Sequence, residues 1–83
     1  MSARLVLVVP CYNEAARLRT DEIALVLARP DANVLLVDDG SVDGTGRLLE
    51  ELAARHGERV RVLRLEKNSG KAEAVRRGVL AAL

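Results

Sequence analysis

The 83 residues suffice for one small domain, which buries a smaller fraction of its surface than a domain of average size. Apolar residues make up 49% but aromatics only 1%, so the core must be built from Leu, Val, Ile and Ala, a composition that suits a parallel sheet covered by helices. Charged residues are 30% of the chain and nearly cancel at a net +1, which argues against a nucleic-acid-binding patch or an acidic tail.

Leu5-Val6-Leu7-Val8-Val9 is a continuous leucine and β-branched run, stopped by Pro10. It predicts a strand buried on both faces, and it is too short for a signal-peptide core or a membrane span. The loop Pro10-Cys11-Tyr12-Asn13-Glu14 follows, with Cys11 the only cysteine. A lone cysteine excludes an internal disulfide and a zinc site built on two or more cysteines, and it fits a reduced, cytoplasmic setting. Asn13 is a candidate N-cap for a helix carrying Ala15, Leu18, Ile23, Val26 and Leu27, ended by Pro30-Asp31.

Val34-Leu35-Leu36-Val37 predicts the second strand, and Asp38-Asp39-Gly40-Ser41 the loop beyond it. Two carboxylates therefore stand at the carboxyl end of a buried strand, where ligands bind in open α/β sheets. Asp, Gly and Ser are also ordinary turn and cap residues. Asp43 or Thr45 could cap the next helix, whose apolar face is Leu48, Leu49, Leu52 and Ala53; Arg55, His56 and Gly57 end it. Val60-Arg61-Val62-Leu63-Arg64-Leu65 alternates, and its arginines point to an edge or a less protected face. After Asn68-Ser69-Gly70-Lys71, the stripe Ala72, Val75, Val79, Leu80 and Leu83 predicts an apolar helix face, with Arg76 and Arg77 off it in solvent. The chain stops within that stripe, which reads as a truncation.

Strands alternating with helices predict an α/β fold with a three-stranded parallel sheet and right-handed crossovers. Three strand-end loops then share one edge, and they hold Tyr12, Asn13, Glu14, Asp38, Asp39 and Lys71. A dinucleotide-binding domain needs a glycine-rich turn after the first strand, and Pro10-Cys11-Tyr12-Asn13 has no glycine. A Walker A loop needs glycine at position 65 and Ser or Thr at 72, where this chain has Leu65 and Ala72. A Ser-His-Asp triad would rest on His56, which is better explained as a helix-dipole partner at a helix end. The six loop residues suit a nucleotide: tyrosine stacks on a base, a carboxylate accepts from an imide N–H or a ribose hydroxyl, and lysine meets a carbonyl or phosphate. Each has a plainer reading: Tyr12 as a core edge, Glu14 in a helix's first turn, Lys71 as a solvated helix start, and Cys11 as a small filler.

Val8-Val9-Pro10-Cys11-Tyr12-Asn13-Glu14, then Val37-Asp38-Asp39-Gly40-Ser41-Val42-Asp43-Gly44-Thr45, then Asn68-Ser69-Gly70-Lys71 with Ala74 and Gly78, resembles the start of family 2 glycosyltransferases. This GT-A-fold family includes dolichol-phosphate mannose synthase and polyprenyl-phosphate sugar transferases. The resemblance implies a Rossmann-like sheet of order 3-2-1 and places residues 1–83 in the N-terminal, nucleotide-sugar-binding portion of an inverting transferase. It implies that Pro10 and Tyr12 line the nucleobase pocket, Glu14 approaches base or ribose, Asp39 reads the base with Asp38 less directly engaged, and Lys71 contacts the nucleotide. Gly40, Ser41, Asp43 and Thr45 would shape the turn. The family usually has a further glycine after the Gly-Lys pair, where this chain has Ala72-Glu73.

The family's Asp-x-Asp motif, which binds Mg or Mn with the sugar diphosphate, lies beyond these residues. The metal is thus expected in the full-length enzyme with ligands outside this chain, and these 83 residues alone are expected to be inactive in transfer. The implied partners are a nucleotide diphosphate sugar and an acceptor such as a polyprenyl phosphate at the cytoplasmic membrane face or a saccharide. Competing readings are a non-catalytic α/β fragment and a receiver-like signalling domain. In a receiver the acidic pair follows the first strand, whereas here it follows the second.

Overall fold

A computed structural model describes residues 5–12 and 20–83. The order is β1 (Leu5–Cys11), α1 (Thr20–Leu27), β2 (Ala32–Asp39), α2 (Thr45–His56), a 3-10 turn (Gly57–Arg59), β3 (Val60–Leu65) and α3 (Lys71–Ala82). All strand pairs are parallel and β2 is central, so the sheet order is the 3-2-1 that the family resemblance implied. The proposed cap Asn13, with Glu14, Ala15 and Leu18, lies outside the described residues.

Period-two alternation along β2 divides the core. Val34 and Leu36 pack with Ile23 and Leu27 of α1, Leu49 and Leu52 of α2, and Val60 of β3. Leu35 and Val37 pack on the other side with Leu65 and Ala74 of α3. Leu36, Val37 and Leu49 are fully buried, and each such side chain contributes about 1.5–3 kcal/mol relative to exposure. Following the same alternation, Asp38 falls on the α2 side of the sheet and Asp39 on the α3 side.

Four local expectations need correction. β1 continues through Pro10 to Cys11, pairing Pro10 with Val37 and Cys11 with Asp38. An edge strand tolerates proline because one side of its backbone has no ladder to complete. β1 is also less buried than its composition predicts: Leu5, Val6 and Leu7 are exposed, because among the described residues the strand has a neighbour on one side only. β2 runs on through both aspartates, so these are strand residues and not loop residues. In α3 the buried residues are Ala74 and Gly78, while Ala72, Val79, Leu80 and Leu83 face outward. A Cβ on Gly78 would lie 2.5 Å from Val8 Cγ1 and 2.7 Å from Val37 Cγ2. The helix approaches the sheet so closely that only small residues fit between them, and the larger apolar residues are turned away.

Two further contacts fix the frame. Arg59 donates to the carbonyls of Leu27 (2.8 Å), Arg29 (2.5 Å) and Ala32 (2.6 Å). One guanidinium thus gathers three carbonyls where α1 ends and β2 begins, including the Arg29 carbonyl that also accepts the Ala32 N–H at 3.3 Å. At the start of α2, neither Asp43 nor Thr45 occupies the cap position, which is Gly44. Asp43 Oδ1 accepts the Thr45 N–H (2.9 Å) and its hydroxyl, so it serves the helix from one residue further out.

Candidate functional site

The carboxyl ends of β1, β2 and β3 lie side by side, and the parallel register sets which residues meet there. Pro10 and Cys11 leave β1, Asp39 ends β2, and residues 66–70 lead from β3 into α3. Pro10, Cys11, Tyr12, Asp39, Asn68 and Lys71 line one pocket of about 220 Å³. Of the six residues to which the resemblance assigns nucleotide-sugar binding (Pro10, Tyr12, Glu14, Asp38, Asp39 and Lys71), four therefore share a cavity: Pro10, Tyr12, Asp39 and Lys71. Asn68 and Cys11 join them. Asn68 was legible only as part of a strand-end loop, and Cys11 only as filler. Glu14 lies outside the described residues.

Asp39 is only 3% exposed. Its Oδ1 accepts the Ser69 N–H (2.8 Å), and its Oδ2 accepts the Gly70 N–H (3.0 Å) and Asn68 Nδ2 (2.9 Å). Asn68 Nδ2 also reaches the Asp39 carbonyl at 3.3 Å. Three donors use three of roughly four lone-pair positions on a carboxylate, which leaves capacity for about one more donor. The charged group is held in place by the loop that ends in Lys71, the first residue of α3. Tyr12 is 43% exposed, so its ring has an accessible surface beside the carboxylate.

Asp38 lies on the opposite side of the sheet and lines a separate cavity of about 260 Å³ with Ser41, Asp43, Gly46, Arg47 and Arg64. It is 2% exposed. Its Oδ1 accepts the Ser41 N–H at 3.0 Å, and its Oδ2 pairs with Arg64 Nε at 3.4 Å. Asp38 and Arg64 are directly opposed across β2 and β3. Sequence alone marks Arg64 only as a sign of an edge strand; the strand register supplies its partner.

The turn between the aspartates' strand and α2 is tied to the pocket loop. Gly40 has φ +70, and a Cβ there would lie 2.3 Å from the Asn68 backbone nitrogen and 2.4 Å from the Lys67 carbonyl carbon. No other residue type permits this approach, because the φ is left-handed and the opposing atoms are backbone.

The chain matches the family model described as glycosyl transferase family 2 over residues 6–83. It belongs to that family. Among curated relatives of this family 2 chain, it is 41% identical over 91 residues to the dolichyl-phosphate beta-glucosyltransferase of Drosophila melanogaster, covering 98% of this chain and 28% of that protein. It is 39% identical over 67 residues to the polyprenol monophosphomannose synthase of Mycolicibacterium smegmatis, covering 81% of this chain and 25% of the relative. The chain thus spans about a quarter of the length of these relatives. Among solved structures, a mannosyltransferase from Pyrobaculum calidifontis in complex with GDP-Man and Mn2+ superposes with a TM-score of 0.78 at 26% identity, covering 100% of this chain and 25% of that one. The parallel three-stranded sheet with three helices is therefore a GT-A-like fold segment of a family 2 glycosyltransferase.

Among the described residues, no group of three or more His, Cys, Asp or Glu could hold a metal ion, and no helix is long and apolar enough to cross a membrane. Asp38 and Asp39 do not fit a shared cation: they face opposite sides of the sheet, and each carboxylate is engaged by its own partners.

Proposed function

We propose that residues 1–83 form the N-terminal, nucleoside-binding part of the donor site of a transferase that passes a sugar from a nucleotide diphosphate to a lipid-phosphate or saccharide acceptor. The observation that carries this reading is the buried, loop-held Asp39 carboxylate beside the exposed Tyr12 ring, with Lys71 in the same pocket. Asp39 accepts an N–H from the base with its remaining lone pair. Tyr12 offers a stacking surface, and Pro10 a rigid apolar wall. Lys71 supplies positive charge to a base carbonyl or to phosphate. Glu14 is proposed to approach the base or ribose. Asp38, which the resemblance implies is less directly engaged, stands across the sheet from this pocket and is given no direct nucleotide contact.

The acceptor class is taken from the relatives, whose names specify dolichyl-phosphate and polyprenol chemistry. A divalent metal in such an enzyme would neutralise the departing diphosphate. The residues described here do not fit that ion, so no step is assigned to it in this chain. What these residues do is bind and orient the nucleoside end of the donor.

The test is calorimetric titration of the 83-residue chain with UDP and GDP, with and without Mn2+. Binding is expected, little changed by the metal, and weakened by Tyr12→Ala by roughly five- to a hundredfold, the usual worth of base stacking. Absence of binding to either nucleotide, or a Tyr12→Ala variant that binds like the parent, would overturn the reading. A large gain with Mn2+ would show that residues of this chain ligate metal after all.

A further inference from the structure

The two aspartates are adjacent in sequence but do different work, and the structure connects them by a route that does not pass through a ligand. Asp38 is held between the Ser41 N–H and Arg64, and Gly46 of α2 lies directly against that pair. A Cβ on Gly46 would lie 2.4 Å from Arg64 Nη2 and 2.9 Å from Asp38 Oδ2. The guanidinium and the carboxylate thus fill the space that a side chain at position 46 would need, and the first turn of α2 rests on the ion pair. The Ser41 contact extends the hold to the Gly40 turn. That turn is pressed against the backbone of Lys67 and Asn68, and the next residues, Asn68, Ser69 and Gly70, supply the three donors to Asp39.

We propose that Asp38 and Arg64 are positioning residues for the nucleotide pocket on the opposite face of the sheet. They act through the Gly40 turn on the loop that holds Asp39 and carries Lys71, and they do not touch the nucleotide. The nucleotide part of this inference rests on the function proposed above; the mechanical link between the two faces does not. The pair is suited to the task. A buried carboxylate whose cation is lost must find another partner, and Ser41 is the one it already holds, so the turn is the element that moves.

The experiment uses Arg64→Met in the 83-residue chain, which keeps most of the side chain's length and removes the charge. Amide NMR spectra without ligand report on the link. Shifts are expected at Ser41, Ser69 and Gly70, with little change at Ala32, which is held by Arg59 at the far end of the sheet. A shift confined to Ser41 would overturn the link. Nucleoside diphosphate titration of the same variant is expected to show binding weakened by roughly three- to tenfold, as for residues coupled through a shared backbone segment. Unchanged affinity alongside shifted Ser69 and Gly70 amides would overturn the role in nucleotide binding. Should Arg64→Met not fold, Arg64→Gln is read by the same criteria, since it also removes the charge from Asp38 while keeping a polar head. Failure of the parent chain to bind nucleotide would refute the proposed function, while the amide spectra would still decide the link.

Discussion

Asp39→Asn sets the two roles of one carboxylate against each other. The wild-type group accepts one hydrogen bond at Oδ1, from Ser69, and two at Oδ2, from Gly70 and Asn68. An amide must place its NH2 at one of these positions. At Oδ2 it would oppose two donors, and at Oδ1 only the Ser69 N–H. The side chain therefore takes the second orientation, keeps two bonds and loses one. The lost bond had a charged acceptor, worth about 1.5–3 kcal/mol, and the surviving pair falls to the neutral range of about 0.5–1.5 kcal/mol each. These terms sum to about 3.5–6 kcal/mol; the smaller cost of burying a neutral amide offsets part of it, so a net loss of about 3 kcal/mol is expected, against a total stability of about 4–12 kcal/mol for a domain of this length. Urea denaturation should show a lower midpoint at unchanged slope. Asp43→Asn is the control, because its Oδ1, which accepts both contacts from Thr45, survives as the amide oxygen. That variant should lose under about 1 kcal/mol. Where Asp39→Asn remains folded, nucleotide affinity should fall roughly ten- to a hundredfold through the weakened base contact. Equal stability losses for the two substitutions, or a loss at Asp39 below about 1 kcal/mol, would refute the claim that this carboxylate organises the pocket loop.

Arg59→Met should cost about 2 kcal/mol, since three carbonyls lose a shared donor near the surface, where water replaces part of the loss; thermal unfolding checks this. Gly78→Ala gains about 1 kcal/mol of helix propensity, but its Cβ overlaps Val8 and Val37, an overpacking that costs about 1–3 kcal/mol, so the melting temperature should fall. A rise would mean that α3 can withdraw from the sheet. Hydrogen bonds from Arg76 and then Arg77 hold the Glu73 carboxyl at about 2, below its ordinary 4.5. A depressed carboxyl stabilises the fold above its unfolded value, and that contribution fades as pH falls from about 4.5 toward 2. Stability measured across that window should decline more for the parent than for Glu73→Gln.

Much of this molecule is readable from one dimension. Apolar runs of strand length alternating with helical stripes fix a parallel sheet, because a short connection cannot return a strand in parallel while a helix can. That architecture places the ends of all three strands on one edge, which is why Tyr12, Asp39 and Lys71 could be grouped before any coordinates. Once β2 is seen to run through both aspartates, the period of two along a strand accounts for Asp38 and Asp39 facing opposite ways.

Other features depend on distances that no sequence pattern encodes. The outward turn of Val79, Leu80 and Leu83 follows from how closely α3 sits on Val8 and Val37, where Gly78 fits and a larger residue does not. Hydrophobicity ranks residues by their preference for burial, whereas here the available space decided which ones were admitted. The reach of Arg59 to carbonyls about thirty residues earlier in the chain required the 3-10 turn to lie against the end of α1. The pairing of Asp38 with Arg64 required the register of β2 against β3. Local periodicity acts within each segment and so determines the elements and their faces. Register, approach distance and long-range ion pairs arise between segments, and only the packed structure decides them.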